Sequence, residues 1–416
     1  MIATLALRSL VNRRGTALLT ISTIAVSVAL LLGVQMLREA ARRSFTSTVS
    51  GVDLIVAART SPLSVILDTV FHVDDAQTNV SWESYQKIAH HPDVAWTIPL
   101  SLGDSHRGFR VLGTSAGYFA HYTLADGRTL RFQVGAPFHA LYDAVLGSEV
   151  ARSLHYHVGD AIILSHGLGQ VSFRQHRDRP FRVVGILRPT GTPADRTVDV
   201  SLEAISAIHL NWWPGVSRTA ADTAAARPSD LTPESITAFM VGMRARPMLF
   251  TMQRAINQYR GEPLVAVIPG VALDQLWNLM STAEAALSAV GACVVLAGLL
   301  GMLATILTSL NERRREMAIL RSLGAGARTV FALMLLEAVT LVSSGLIAGL
   351  LLAYSALWTL RPLFATRWGL VLSIEAPGTR SAAVLLAVLV SAILIGCIPA
   401  WRAYRVSLAD GLQIRL

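Results

Sequence analysis

The chain has 416 residues, 52% of them hydrophobic and only 15% charged, with a formal net charge of +9. Soluble domains carry about a quarter charged residues, so this deficit points to lipid. The basic excess is arginine apart from Lys87, and it is scattered or set beside apolar stretches, which argues against a nucleic-acid-binding protein.

Gly15–Leu37 holds no charge and is long enough to cross a hydrocarbon core of about 30 Å as a helix. Its apolar part is too long for a secretory signal, and no small-residue cleavage pattern follows it. Leu37–Phe45 extends it as a stalk, so residues 1–47 form the N-terminal segment, first span and stalk. Next come short β-like runs broken by turn signals, at Val52–Ala57, Phe109–Gly113, Ala161–Leu164, Phe181–Ile186 and Val198–Leu202. Helix-like stretches intervene at Trp82–His90 and Gly147–Leu154. Trp213–Pro233, rich in Ala, Thr, Ser and Pro, reads as a flexible insertion. Ile236–Met243, Met248–Tyr259 and Leu264–Ile268 then read as strand, helix, strand. The simplest arrangement is a split α/β layer, residues 48–117 and 205–270, around an inserted β-rich lobe, residues 118–204.

Leu273, Leu276, Trp277 and Met280 recur at helical spacing and run into the uncharged stretch Ala285–Leu310 without a Pro break. A single helix from Leu273 to Leu310 would measure about 57 Å, so residues 271–310 read as a second stalk and second span. Ala338–Leu360 and Ser381–Trp401 are the third and fourth spans, within residues 329–416. The fold class is therefore an α-helical membrane protein with four transmembrane helices plus a large α/β domain.

Arginines near the span ends set the orientation. Eleven stand at the N-terminal flank, the connection between spans two and three, and the C-terminal tail; six stand on the opposite side. Both termini are expected in the cytoplasm and Arg38–Glu284 outside it. All eleven histidines fall between His72 and His209, and in a strand His155 and His157 would share one face as a metal pair needs. No acidic or cysteine partner stands at a telling spacing, and no metal site is expected. Cys293 and Cys397 lie in different spans, and the large domain has no cysteine. No G-x-S-x-G nucleophile motif occurs either, so hydrolase chemistry is unsupported.

The cytoplasmic connection, residues 311–328, reads as a short amphipathic helix. Asn311 is cap-like, Met317, Leu320 and Leu323 fall on one face, and Gly324 and Gly326 end it. Such a helix could lie in a groove of a partner, with Arg and Glu setting its orientation; a plain basic loop that only enforces topology is the alternative. Within the third span, Gly345 and Gly349 form a G-x-x-x-G that permits close helix approach, inside one subunit or across a homodimer seam. Glu337 has no His, Asp or Lys in any span to complete a proton relay, so a helix-pairing role is expected for it.

The wording of the connection resembles the coupling helix of FtsX-domain ABC permeases, a pattern like E-R-x-x-E-[IM]-x-[IL]-x-[RK]-x-[LI]-G-A. Glu312, Arg313, Glu316, Ile319, Arg321, Leu323, Gly324 and Ala325 fill the matching positions, and Leu320 lies among them. Leu336-Glu337-Ala338 and Gly345…Gly349 resemble the start of the family's third span, and Ile398–Ala403 its exit motif. Ala144–Ala151, Val158-Gly-Asp160 and Phe181–Ile186 resemble the periplasmic domain of the MacB and LolC/LolE relatives.

The resemblance implies a type VII, mechanotransmission permease of the bacterial inner membrane, with residues 285–416 as its FtsX-like domain and the two extracytoplasmic lobes as Porter-like and Sabre-like. It implies a non-catalytic subunit without cofactor, ATP and Mg being bound by a partner ABC ATPase. No G-x-x-x-x-G-K-[ST] loop occurs in this sequence to bind them. A second permease copy or a related permease would complete the assembly, with a periplasmic adaptor or binding protein as a further partner. The alternative is an FtsX-like regulator that relays ATPase movement to a periplasmic protein without transport.

Overall fold

The computed structural model describes residues 14–72, 78–124, 126–166, 179–209, 231–312, 326–368 and 376–405. In chain order the elements are α1 (Arg14–Thr48), β1 (Leu54–Ala58), α2 (Pro62–Thr69), β2 (Val80–Ser81), α3 (Trp82–Ala89), β3 (Val94–His106) and β4 (Phe109–Thr114). There follow α4 (Gly117–His121), β5 (Phe132–Gly135), β6 (Asp143–Leu146), α5 (Ser148–Leu154), β7 (Ala161–Ile162), β8 (Ser165–His166), β9 (Phe181–Leu187) and β10 (Thr197–Ser201). The chain continues through α6 (Leu202–His209), β11 (Ser235–Ile236), β12 (Ala238–Met243), α7 (Leu249–Asn257), β13 (Leu264–Val267), α8 (Pro269–Glu312), α9 (Ala327–Trp368) and α10 (Thr379–Arg405). Most of Trp213–Pro233, the expected flexible insertion, lies outside the described residues.

Two compact units emerge. One comprises Met1–Ala40, Ser281–Leu363 and Leu372–Leu416 and holds the four helices long and apolar enough to span a membrane. The other, Ala41–Met280 with Phe364–Val371, is built on one mixed sheet of eleven strands.

The sheet runs β13-β1-β12-β3-β4-β10-β6-β9-β5, with β7 on β9 and β8 on β3. The strands β1, β12 and β13 are continuous apolar runs because both of their faces are covered. In β1, Leu54 and Val56 join the core under α3 and α7, while Ile55 and Ala57 join the core on the opposite face. Along β10, Val198 and Val200 enter a third core with α5 and α6. The strands of 118–204 continue this sheet at one end. The joint is β10, parallel to β4 (Asp199 opposite Leu112) and antiparallel to β6 (Asp199 opposite Val145).

The expected strands and helices recur within a few residues of their bounds, but α2, β2, β3, α4, β5, β6, β8, α6 and β11 escape the sequence reading, and two of these are instructive. The thirteen-residue β3 contains Pro99, a residue that ordinarily demotes a strand. It is tolerated where β4 ends: Leu100 pairs with Thr114, the last residue of β4, and the Pro99 carbonyl accepts the Thr114 hydroxyl at 2.8 Å. The short α2 starts at Ser61-Pro62, with Ser61 Oγ accepting the Ser64 N–H at 3.1 Å.

Candidate coupling segment and the helices that frame it

The helix α8 has 44 residues and α1 has 35. At 1.5 Å per residue they measure about 66 Å and about 52 Å, both far beyond a hydrocarbon core of about 30 Å. Pro269 opens α8 at a position where a missing N–H is harmless, and no proline interrupts either helix after that.

Of the expected coupling residues, Glu312 is the last residue of α8. Arg313, Glu316, Ile319, Leu320, Arg321, Leu323 and Gly324 lie outside the described residues. The helix α9 begins just after Gly326, whose carbonyl accepts the Thr329 N–H at 2.9 Å. Next to these ends, Val330, Leu333 and Met334 of α9 pack with Ala400 of α10 and Leu307 of α8 in a small core of their own. The connection 313–325 thus starts and finishes on helices that are packed together in one unit.

Within that unit α1 is central. Ile24, Val28 and Leu32, none more than 2% exposed, meet Leu299, Met302 and Ile306 of α8, Ala338 and Val342 of α9, and Val388 and Ala392 of α10. Gly345 and Gly349 lie against α1 of the same chain. A Cβ on Gly345 would stand 2.7 Å from Ile24 Cγ2, and one on Gly349 would stand 2.8 Å from the Ala25 carbonyl oxygen and 2.9 Å from Val28 Cβ. Two further close approaches have no paired-glycine signature in the sequence: Gly396 against Ala338 (2.9 Å to its Cβ) and Gly291 against Leu31 (2.6 Å). Ser27 Oγ donates to the Thr23 carbonyl at 2.7 Å, a back-bond that satisfies a hydroxyl in an apolar span. Glu337, 6% exposed, is buried beside Ala338 on α9. The helix α10 is the most peripheral, leaving a groove of about 480 Å³ lined by Leu31, Val295, Leu299, Val388, Ser391 and Ile395.

Arg38 on α1 and Glu284 on α8 form an ion pair. Sequence reasoning could not pair them, because nothing local links residues so far apart in the chain.

The histidine pair takes a different shape from the strand considered above. His155 closes α5 in the left-handed region (φ 56°), and His157 lies on a turn whose N–H is held by Asp160 Oδ2 at 2.8 Å. They do not share a strand face, since the helix end and the following turn occupy that stretch. No group of three or more His, Cys, Asp or Glu side chains placed to hold a metal occurs among the described residues.

Comparison with known families matches residues 17–238 to the MacB-like periplasmic core domain and residues 288–408 to the FtsX-like permease C-terminal domain. A comparison with curated proteins found no match. Among solved structures, the periplasmic region of MacB from Actinobacillus actinomycetemcomitans is 9% identical, covering 56% of this chain and 98% of its own, with a TM-score of 0.35. The extracellular domain of the noncanonic ABC-type transporter YknZ from Gram-positive bacteria is 12% identical, covering 51% of this chain and 98% of its own, with a TM-score of 0.30. The periplasmic-core match spans more than half of the 416 residues and the permease match takes most of the rest, so the chain belongs to the FtsX/MacB-like family of ABC transporter permeases.

Proposed function

We propose that this chain is the permease subunit of an ABC machine in which a separate ATPase docks on Glu312–Gly324 and its movement is delivered by α1 and α8 to the domain 41–280, where it does work on a periplasmic substrate. The observation that carries the reading is the pair of helices that outrun the bilayer, each contributing residues to both compact units. A lever of this kind needs an unbroken helix, because bends concentrate at prolines and inserted residues. The family relationship supports an ATPase partner and a second permease copy.

The test is ATPase co-purification and stimulated ATP hydrolysis with the full chain. Replacing Ile319 or Leu323 by Asp puts a charge into a contact that should be dry, and either variant is expected to lose partner binding by tenfold or more. Arg313→Glu should act more mildly and with salt dependence. Membrane levels should stay normal in all three. Full ATPase binding and stimulation by Ile319→Asp and Leu323→Asp, at normal expression, would reduce the segment to a topology-setting loop.

A further inference from the structure

The end of α1 is seated in the folded domain by polar contacts to the segment 118–204. Ser44 Oγ donates to the Gly191 carbonyl at 3.0 Å, the Tyr122 hydroxyl to the Thr48 carbonyl at 2.6 Å, and Thr123 Oγ1 to the Ser50 carbonyl at 3.3 Å. Thr48 and Tyr122 are 1% and 2% exposed, so Tyr122 satisfies a helix-terminal carbonyl away from water.

Behind this seat a chain of polar groups leads inward. The Thr192 hydroxyl lies beside that of Tyr122 and 2.7 Å from that of Thr190, and Thr190 Oγ1 donates to Asp195 at 3.0 Å. Asp195 also accepts the N–H groups of Thr190 (2.8 Å) and Gly191 (2.7 Å), which fixes the loop carrying Gly191.

Asp199 is wholly buried on the face of β10 opposite Val198 and Val200, between Leu112 of β4 and Val145 of β6. Neither of its carboxyl oxygens accepts a hydrogen bond of ordinary geometry among the described residues; the Thr197 hydroxyl lies near it but donates to the Ala194 carbonyl at 3.1 Å. Tyr118 of α4 and Tyr122 in the turn after it lie within electrostatic reach of Asp199 and also of Asp195, which stands in the turn before β10. On the neighbouring strands, Arg110 stands opposite Thr197 in β4, and Asp143 of β6 has its carboxylate on the His139 and Ala140 N–H groups.

We propose that this seat is a protonation-gated latch: with Asp199 protonated, Tyr122 and Ser44 hold the end of α1 on segment 118–204, and ionisation of Asp199 loosens it. A carboxylate buried here needs a donor. Tyr122 can serve it only by leaving the Thr48 carbonyl. Burial pushes the Asp199 carboxyl up to about 7, with the Thr197 hydroxyl pulling the other way. The ionised form therefore gains population as pH rises through neutrality. The consequence for coupling rests on the proposed function; the latch itself does not.

The test is hydrogen exchange of the full chain in nanodiscs without any ATPase, from well below to well above the Asp199 midpoint and corrected for the intrinsic pH dependence of exchange. Peptides covering 44–53 and 188–196 should exchange on the order of tenfold faster on the alkaline side. Asp199→Asn should stay slow at both extremes, and Tyr122→Phe should be fast at both. A flat wild-type profile, or a pH response that survives in Asp199→Asn, overturns the latch. If Asp199→Asn fails to fold, the wild-type profile alone decides. ATPase stimulation measured separately at the two extremes keeps the proposals apart, since absence of stimulation at either pH counts against the function and leaves the latch standing.

Discussion

Three Gly→Ala substitutions test the packing of α9 on α1. At Gly349 the new Cβ would lie 2.8 Å from the Ala25 carbonyl oxygen and 2.9 Å from Val28 Cβ. Neither atom is the far end of a flexible side chain, so relief requires the helices to separate by roughly half an ångström, the gap to ordinary van der Waals contact. Overpacking of this kind costs about 1–3 kcal/mol, and the better helix propensity of Ala offsets at most about 1 kcal/mol of it. Gly345→Ala meets Ile24 Cγ2 at 2.7 Å and Cβ at 2.8 Å, so a similar loss is expected. The control is Gly301→Ala on α8, where nothing lies within 4 Å of the new atom and only the propensity gain remains. The assay is thermal unfolding of the full chain in detergent, followed by helical circular dichroism and with oligomeric state recorded. Gly349→Ala and Gly345→Ala should melt below wild type, and Gly301→Ala at or above it. If all three melt together, α9 is not held at this distance from α1. A change in oligomeric state without a change in melting would move the two glycines to a seam between copies.

The stability difference between wild type and Asp199→Asn should itself depend on pH. Burial pushes the folded Asp199 carboxyl up to about 7 from an ordinary 3.8, so the stability it contributes is full below pH 3.8 and is lost as pH rises to 7, a change of about 4 kcal/mol; parallel melting curves at every pH would refute it. Arg38→Glu should cost less than about 1 kcal/mol, and the swap with Glu284→Arg should recover part of it, because both side chains keep contact with solvent; the check is a double-mutant cycle at two salt concentrations. Reporter fusions at Thr60, Gly326 and the C-terminus should place Thr60 alone outside the cytoplasm, and a cytoplasmic signal at Thr60 would overturn the proposed direction of coupling. Chelation of the purified chain should leave its melting temperature unchanged.

The parts of the fold legible in the sequence are those where one physical signal dominates. Uncharged runs located the four spans, and Val52–Ala57 read as a strand from its β-branched and aliphatic run bounded by turn signals, of which Leu54–Ala57 lie in β1. A continuous helix over Leu273–Leu310, most of α8, followed from the lack of a break after Gly270. The misses arise where a local rule is overridden or a signal is non-local. Pro99 hides β3 because its tolerance depends on where β4 stops, a fact of register rather than of composition. The α2 start was readable, since Ser61-Pro62 is an N-cap followed by proline at N1, but eight residues carry too weak a period to demand a helix. The shape of His155–His157 was not legible, because alternation over three residues cannot distinguish a strand from a helix end and a turn. Gly345 and Gly349 were visible as a motif, whereas Gly396 and Gly291 each make their close approach alone.

Buried polar chemistry was the least legible, and the reason bears on how the domain works. Asp199 lies in Thr-Val-Asp-Val-Ser, a pattern that reads as a strand with alternate polar residues facing water. All five positions are buried, because segment 118–204 continues the sheet of the other lobe and closes over the face that alternation assigned to solvent. Thr197 and Ser201 find acceptors in the Ala194 and Leu141 carbonyls, at 3.1 Å and 3.5 Å, which a hydroxyl can do almost anywhere near a backbone. A carboxylate cannot, since it needs donors and backbone N–H groups in a paired strand are already committed. Asp199 is therefore a local conflict in an otherwise consistent strand, placed where β10 joins β4 to β6 and within electrostatic reach of the tyrosine that holds the end of α1. Such conflicts persist when they serve a use outside stability. An apolar residue there would strengthen the sheet and, on the proposed latch, remove the group whose ionisation loosens the seat of α1.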